Sequence, residues 1–418
     1  MTESGPSRRQ LLRAAGLAVL AGCGRSGAPD GADRPTGTTR TPTRTPTRSP
    51  TRTASPTATA TPEERARPRF EAGPGACSLA APDPGRKTWT HAGYDPGATR
   101  HPPAASAPNG FPLGRAWSVP TVATGPVLVD ERRYYLRTAT GVVALSPADG
   151  RVTWRRRASG PAGGIAVGAD LLVLPTAEGS VYGLDPADGT ARWSVAATAT
   201  CPPVLTRDAV VLGTASGVVA HTRDEGTACF RVPTADPVVH LVADGDLAVA
   251  ATAGAATGTL LAVDPARRAV RYAQFLTAPP TGLVGLDGEL VVSTGERSRG
   301  LAAADGTLTW TAPVGPVVAS GRYHYALGSD AVVALDDAGE RAWRAAVPAP
   351  TGVAATGDVV VATSDADGVA FQVHDARTGR RRVRQLDDDG RRFPVVADDR
   401  VITVGDDRTY VDEEAGPT

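Results

Sequence analysis

The sequence predicts an all-β protein in which eight similar units close into a ring. The first observation behind this prediction is a turn motif that recurs along the chain, with an aromatic residue four positions after a glycine, as in "ADGRVTW" (148–154) and "ADGTARW" (187–193). The second is that four short apolar runs fill each repeat, and the third is one unmatched run before the first repeat. Four strands in each unit of about 40 residues indicate the blades of a β-propeller.

The N-terminus predicts an export signal over residues 1–22. Arg8 and Arg9 lie in "SRRQLL" (7–12) and precede an apolar run that is too short for a membrane span of about 20 residues. The order resembles a twin-arginine signal, and "LAGC" (20–23) resembles a lipobox. This resemblance implies cleavage before Cys23 and attachment of lipid to its sulfur. The alternative is a soluble secreted protein with an incidental cysteine.

The next segment predicts a tether. Residues 35–62 consist mainly of Pro, Thr and Arg and cannot bury a core. Such a chain is extended, at about 3.1 Å per residue in the polyproline form. We therefore expect a disordered tether over residues 23–86 and the propeller over residues 87–418.

The repeat accounts for the whole of residues 117–418. The turn position is occupied in order by Gly150, Gly189, Gly226, Arg268, Gly306, Gly339, Gly379 and Gly416. The aromatic position is occupied by Trp154, Trp193, Phe230, Tyr272, Trp310 and Trp343, with Val383 in the seventh repeat. Short polar turns such as "ADGD" (243–246) supply the positive φ that a twisted hairpin needs.

The unmatched run predicts how the ring closes. Trp117 in "RAWSV" (115–119) has no glycine turn before it, and the last repeat lacks its fourth run. An unclosed ring would leave an open sheet edge. We therefore expect "RAWSV" to pair with "TYVDEE" (409–414) in the last blade. Trp117 is also expected to matter more for stability than Trp89, which lies outside the register.

Two segments carry a resemblance to a known family. "GLDPADGTARW" (183–193) resembles the repeat of pyrroloquinoline-quinone-type propellers, with Asp185, Gly189 and Trp193 at matching positions. "TWTHAGYDPGATRHPP" (88–103) resembles the lead-in that such propellers carry. The resemblance implies that each outer-strand Trp docks on the turn of a neighbouring blade. The family contains quinone-dependent dehydrogenases and also cofactor-free proteins, such as the propeller lipoprotein of the outer-membrane barrel assembly machinery.

The residues that quinone chemistry needs are not found in the sequence. In the dehydrogenases of this family the quinone stacks on a Trp and a calcium ion is held by carboxylate and Asn oxygens. Here the single Asn, Asn109, precedes the first blade, no two Cys are adjacent, and five of the 6 Trp lie in the repeat register. We therefore expect no cofactor, no metal and no catalytic residue. Cys77, Cys201 and Cys229 allow at most one disulfide.

Other polar residues favour structural roles. His221 and His374 both lie five positions before a turn glycine, which indicates half-buried strand residues rather than metal ligands. The run "DDDG" (387–390) is interpreted as a solvated turn rather than a calcium site. The run "RRR" (155–157) is interpreted as a solvated outer strand rather than an anion site.

These features predict a monomeric, lipid-anchored propeller on the outer face of the cytoplasmic membrane. The net charge is +0, which gives no support for a nucleic-acid partner. The expected role is a non-catalytic binding or scaffold protein for a protein or envelope ligand. The alternative is a quinone-dependent dehydrogenase of sugars or alcohols, and a third possibility is an accessory or sensor subunit of a membrane complex.

Overall fold

The computed structural model describes residues 68–80, 88–102, 108, 113–159, 163–366, 368–387 and 389–415. The predicted signal residues Arg8, Arg9 and Cys23, most of the tether and Gly416 lie outside this part of the chain. The described residues belong to one compact unit, Ala60–Thr418. They form strands β1 to β33. The described residues contain no helix that could span a membrane.

The strands form eight sheets, which we number as blades 1 to 8 along the chain. Blade 1 contains β3 (Leu128–Val129), β4 (Tyr134–Thr138), β5 (Gly141–Leu145) and β6 (Val152–Arg157). Blade 2 contains β7 (Ala166–Val167), β8 (Leu172–Pro175), β9 (Ser180–Leu184) and β10 (Ala191–Ala196). Blade 3 contains β11 (Val204–Leu205), β12 (Ala209–Thr214), β13 (Gly217–Thr222) and β14 (Ala228–Pro233), with β1 (Glu71–Ala72) added at its outer edge. Blade 4 contains β15 (Val238–Asp244), β16 (Leu247–Ala253), β17 (Gly258–Asp264) and β18 (Ala269–Leu276).

The remaining four sheets follow the same order. Blade 5 contains β19 (Pro280–Leu286), β20 (Glu289–Thr294), β21 (Arg297–Ala302) and β22 (Leu308–Ala312). Blade 6 contains β23 (Val317–Ser320), β24 (His324–Leu327), β25 (Ala331–Leu335) and β26 (Arg341–Ala346). Blade 7 contains β27 (Pro350–Ala355), β28 (Val359–Ser364), β29 (Phe371–Asp375) and β30 (Arg381–Gln385). Blade 8 contains β31 (Arg392–Ala397), β32 (Arg400–Val404), β33 (Thr409–Glu414) and β2 (Leu113–Val119). The predicted eight-bladed propeller is confirmed.

Burial explains the different composition of inner and outer strands. The second strand of blade 3, β12 ("AVVLGT"), is buried along its whole length because neighbouring blades pack on both of its faces. The outer strand β10 ("ARWSVA") instead alternates, with Trp193 buried and its neighbours exposed. Gly245 and Gly288 have φ values of 56° and 87° in tight hairpin turns, where a side chain would be strained.

The predicted ring closure is also confirmed. β2 pairs antiparallel with β33, and Trp117 lies opposite Val411. The guanidinium of Arg115 on β2 donates to the buried carboxylate of Asp412 at 2.6 Å. The closing strand is therefore held by ladder hydrogen bonds and by an ion pair.

The loop before blade 8 adds a buried ionic cluster to this closure. Arg391 is fully buried, pairs with Asp387, and lies 3.4 Å from the ring centroid of Tyr410. Asp389 accepts a hydrogen bond from the Tyr410 hydroxyl at 2.7 Å. Asp387 and Asp389 are thus bonded to Arg391 and Tyr410, which corrects the interpretation of "DDDG" as a solvated turn for these two carboxylates.

Most neighbouring blades are joined by a Trp that lies flat on a glycine. Trp154 of blade 1 covers Gly189 of blade 2 so closely that a Cβ added there would be 2.7 Å from the indole. Its indole N–H donates to the Pro186 carbonyl at 3.0 Å. The same pairing of indole, glycine and carbonyl joins Trp117 to Gly150 and Pro147, Trp193 to Gly226 and Arg223, and Trp343 to Gly379 and Ala376. We call this arrangement the Trp–Gly seam.

The seam between blades 3 and 4 is built differently. Phe230 occupies the aromatic position, and the turn residue of blade 4 is Arg268, with a φ of 52°. The Phe230 ring stacks on Phe70 at a centroid distance of 5.2 Å. Phe70 belongs to residues 68–80, which we call the strap.

The strap lies within the segment for which the sequence predicted a disordered tether. β1 extends blade 3 by pairing with β14, and Cys77 forms a disulfide with Cys229. The side chain of Leu79 is buried, and the main-chain N–H of Arg207 donates to the Ala80 carbonyl at 2.9 Å. The strap therefore packs on the outer edge of blade 3, within the range for which the sequence predicted a tether.

Candidate functional site

The central channel of the propeller is filled by residues 88–102, which we call the plug. The plug makes hydrogen bonds of 2.7 to 2.9 Å to the innermost strand of each of blades 1 to 7. The main-chain donors, in blade order, are the N–H groups of Val129, Val167, Leu205, Ala243, Gly285, Ser320 and Ala355. All of these lie at the end of a first strand, so the plug follows one turn around the channel.

Tight bends allow so short a segment to reach seven blades. Gly97 lies against blade 5, where a Cβ would be 2.1 Å from the Gly285 carbonyl oxygen. Tyr94, Ala98 and Arg100 have φ values of 84°, 57° and 48°. Such backbone strain persists only where the surroundings hold it, and here the blades supply the restraint.

Two buried aromatic side chains anchor the start of the plug. Trp89 is fully buried, exchanges two main-chain hydrogen bonds with Val129, and meets Tyr94 edge to face. His91 Nε2 accepts from the Leu205 N–H at 2.9 Å, and its Nδ1 lies 2.9 Å from the Thr90 hydroxyl. Burial lowers the pKa of His91 to about 3, so the ring is neutral at physiological pH.

The expectation that Trp89 matters less than Trp117 loses its basis, because Trp117 is only partly buried.

Asp95 stabilises the middle of the plug. Its carboxylate accepts from the main-chain N–H of Thr99 at 3.0 Å and from the Thr99 hydroxyl at 2.6 Å. Burial raises the pKa of Asp95 to about 6, although the bonds from Thr99 act in the opposite direction. Asp95 is thus a carboxylate at the centre of the channel that titrates close to neutral pH.

The plug separates two cavities. At the end where the first hairpins of the blades meet, an open cavity of about 640 Å³ has the plug as its floor and blades 1 to 5 as its walls; we call it the funnel. On the other side of the plug lies an inner cavity of about 230 Å³, lined by Ala98, Arg100 and the first strands of blades 3 to 6. Asp95 and Pro96 line both cavities. The funnel has the size of a small-molecule or peptide site, whereas the inner cavity is below the usual range of about 300–1,000 Å³.

The charged residues of the funnel are distributed unevenly. Blades 1 and 3 contribute Arg132, Arg207 and Arg223, and blades 4 and 5 contribute Asp244 and Asp287. Blade 1 also contributes Asp130 and Glu131. The Asp130 carboxylate is occupied within its own turn, where it accepts from two main-chain N–H groups and from a tyrosine hydroxyl.

A serine, a histidine and a glutamate form a buried chain between blades 5 and 6. His324 Nδ1 lies 2.5 Å from the Ser320 hydroxyl, and its Nε2 lies 3.2 Å from the carboxylate of Glu289. Glu289 also accepts from the indole of Trp310, in place of the carbonyl used in the Trp–Gly seams. Ser320 and His324 are buried to 1% and 3% exposure, so no substrate reaches the hydroxyl. This chain joins two blades and is not accessible for catalysis.

The histidines singled out in the sequence have matching local contacts. His221 Nδ1–H donates to the Gly226 carbonyl, and His374 Nδ1–H donates to the Gly379 carbonyl, each at 3.0 Å. Burial lowers the pKa of both rings. Each ring thus bonds the turn glycine of its own blade. Among the described residues, no three His, Cys, Asp or Glu side chains converge in a geometry that holds a metal ion.

The other residues singled out in the sequence lie apart from the channel. Arg155 and Arg157 are exposed on the outer strand β6, and Arg156 lies over the Tyr182 ring. Cys201 is a buried free thiol, and burial raises its pKa to about 12. The plug was noticed only as a lead-in with a family resemblance. Its position in the channel had no signal in the sequence, because its bonds go to seven different strands.

The residues of the channel do not fit a quinone cofactor. Such a group needs an aromatic face and a cation held by oxygen ligands. None of the described residues that line the funnel is aromatic, and the plug occupies the channel axis. The inner cavity is too small for a tricyclic ring system with its carboxylates.

Comparison with known proteins supports the fold. Residues 78–237, which include the plug and blades 1 to 3, match the family model described as outer membrane protein assembly factor BamB. The crystal structure of BamB from Moraxella catarrhalis is similar over 74% of this chain and 99% of that chain, with 18% identity and a TM-score of 0.59. Quinohemoprotein alcohol dehydrogenase from Comamonas testosteroni is similar over 80% of this chain and 82% of that chain, with 13% identity and a TM-score of 0.60.

A third similar structure is the computationally designed protein Ika8. It covers 72% of this chain and 99% of that chain, with 13% identity and a TM-score of 0.60. A comparison with curated protein sequences found no match. At these identities the similarity establishes a BamB-like propeller fold and does not choose between binding and catalysis.

Proposed function

We propose that this protein is an exported, lipid-anchored propeller that binds a protein or another envelope component and catalyses no reaction. Its lipid is carried by Cys23, its tether holds it at the outer face of the cytoplasmic membrane, and it acts as a monomer. The funnel is the surface that engages the partner. The observation that carries this proposal is the plug, which fills the channel and forms the floor of an open cavity of about 640 Å³.

Two further observations support an extracytoplasmic binding role. The bond between Cys77 and Cys229 is of a kind that persists in oxidising compartments. The match of residues 78–237 to the BamB family model favours a protein-binding role, since that family is described as an assembly factor. A Cys23→Ala variant should leave the membrane fraction or remain unprocessed, and unchanged fractionation would contradict the lipid anchor.

The alternative, a quinone-dependent dehydrogenase, receives support only from the fold. Its experimental test is to add quinone and calcium to the purified domain and to follow dye reduction over a panel of aldoses and alcohols. We expect no saturable quinone complex. Substrate-dependent dye reduction would favour the dehydrogenase.

Site-specific photo-crosslinking in the native membrane tests the binding role. A photoreactive residue at position 132 lies at the funnel, and the matched control at position 308 is exposed on the outer strand β22. We expect a discrete crosslinked product, identified by mass spectrometry, from position 132 and none from position 308. The absence of a product from position 132, or the same products from both positions, would contradict the proposal.

A further inference from the structure

The funnel has arginines on blades 1 and 3 and aspartates on blades 4 and 5, and Glu131 lies next to Arg132 on blade 1. Arg132 and Arg207 form what we call the arginine wall, and Asp244 and Asp287 form the acidic wall. Blades 1 and 5 are opposite in an eight-membered ring, so Arg132 and Asp287 approach the cavity from opposite sides. Arg223, in contrast, is already paired with Asp170. Within the described part of the chain, the four wall residues take part in no ion pair.

The acidic wall is arranged to accept a cation. The Asp244 carboxylate accepts the Gly288 N–H at 3.0 Å, and burial together with the neighbouring Asp287 raises its pKa. The negative charge of Asp287 disfavours a second negative charge on Asp244, and a cation beside both carboxylates relieves this repulsion. The buried Asp95 adds a third carboxylate on the floor of the funnel, with both oxygens held by Thr99.

The charge pattern distinguishes an organic cation from a metal ion. Among the described residues, no three His, Cys, Asp or Glu side chains form a metal site, and both oxygens of Asp95 are already bonded to Thr99. A bound metal would also leave the arginine wall without a partner. A ligand that carries an ammonium group at one end and a carboxylate at the other satisfies both walls, and the cavity of about 640 Å³ accommodates a short peptide.

We propose that the funnel binds a short zwitterionic peptide, with its ammonium group at the acidic wall and its carboxylate at the arginine wall. This inference rests on the proposed binding function and names the chemistry of the ligand. Charge-assisted hydrogen bonds at both ends supply the specificity, because guanidinium groups match carboxylates and paired carboxylates match an ammonium.

Calorimetric titration of the purified protein with di-, tri- and tetra-alanine tests the proposal. The ends of an extended tripeptide are about 10 Å apart, and the length that binds best reports the separation of the walls. We expect saturable binding that falls about tenfold or more when the amino end is acetylated, and similarly when the carboxyl end is amidated. The Asp244→Asn/Asp287→Asn variant should lose affinity for the free peptide by a similar factor.

The control variant is Asp337→Asn/Asp358→Asn, which makes the same change in net charge. Both aspartates are exposed and neither lines the funnel. We expect it to bind within about twofold of the unmodified protein, because charges outside the cavity are screened. No saturable heat with any length, or equal affinity for free and acetylated peptides, would overturn the inference. If the peptides do not bind but the crosslinked product from position 132 is still found, the proposed binding function is retained and only the inferred ligand class is wrong.

Discussion

The seam between blades 1 and 2 and the seam between blades 3 and 4 join adjacent blades through different contacts. In the first, Trp154 lies on Gly189 and donates to a carbonyl of the same turn. In the second, Phe230 stacks on Phe70 of the strap, and a disulfide fixes the strap to the outer strand. In the first seam the two blades have only each other, and both motif residues are present. In the second a distant segment packs on the outer strand, and both motif residues are replaced.

The two devices stabilise the fold through different terms. A Trp on a glycine gains dispersion and apolar burial because no Cβ separates ring and backbone. A disulfide acts largely by restricting the unfolded chain, and its effect grows with the length of the loop it closes. Each device therefore predicts a different response to substitution.

The largest effect is expected from removing the disulfide. Cys77 and Cys229 are 152 residues apart in the sequence, and a loop of that length is worth up to about 5 kcal/mol in the chain-entropy model. A Cys77→Ser/Cys229→Ser variant should lose most of this amount in urea denaturation. Adding a reductant to the unmodified protein should reproduce the loss. An unchanged unfolding midpoint in both experiments would show that the strap contributes nothing to the stability of blade 3.

The next effect concerns two tryptophans whose burial is the reverse of the stability ranking that the sequence predicted. Trp89 is fully buried in the plug, whereas Trp117 is partly buried at the seam between blades 8 and 1. We expect Trp117→Ala to cost about 3–5 kcal/mol, and Trp89→Ala to cost at least as much. Phe275→Ala is the control, because Phe275 is 68% exposed. A smaller loss for Trp89→Ala than for the control would contradict the buried position of the plug.

The plug also predicts two opposing contributions to the pH dependence of stability. His91 has a folded-state pKa lowered to about 3, so stability is lost as the pH falls from about 6.5, where the unfolded chain takes up a proton and the native state does not. Asp95 has a folded-state pKa raised to about 6, so stability is gained as the pH falls from 6 towards 4. Between pH 4 and 6 the two contributions largely cancel.

Single substitutions separate these contributions. Relative to the unmodified protein, Asp95→Asn should become less stable on acidification, by about 1.4 kcal/mol per pH unit, and His91→Asn should become more stable by a similar slope. Chemical denaturation at pH 4 to 7 measures both slopes. Parallel profiles for the three proteins would mean that neither group is buried as the plug geometry requires.

The sequence predicted what repeats and missed what occurs once. The eight blades and the pairing of Trp117 with Val411 follow from a motif that is short-range and periodic. The plug could not be placed, because each of its hydrogen bonds reaches a different strand. The strap could not be found, because its strand β1 is only two residues long and carries no copy of the repeat motif. With three cysteines, the sequence did not determine which two form the disulfide, since their spacing carries no information on distance in space.

The funnel was anticipated only in outline. A central funnel follows from any propeller, but its walls are hairpin turns in which Asp244 and Asp287 have the same local sequence as many solvated turns. Only the closed ring brings turns from blades 1, 3, 4 and 5 around one cavity. The charge separation is thus a property of topology rather than of any motif.

The smallest effects are expected from substituting the turn residues of these two seams, Gly189 and Arg268. Gly189 has a φ of 76°, and a Cβ would lie 2.7 Å from the Trp154 ring, so Gly189→Ala combines left-handed strain with a clash and should cost about 1–3 kcal/mol. Arg268 has a φ of 52° and takes the same turn position without a Trp above it. Arg268→Gly removes the backbone strain but increases the entropy of the unfolded chain, so we expect a gain of less than about 1 kcal/mol. Urea denaturation of the two variants measures both changes. A gain for Arg268→Gly as large as the loss for Gly189→Ala would mean that glycine has the same role at both turns, and that the strap does not replace it.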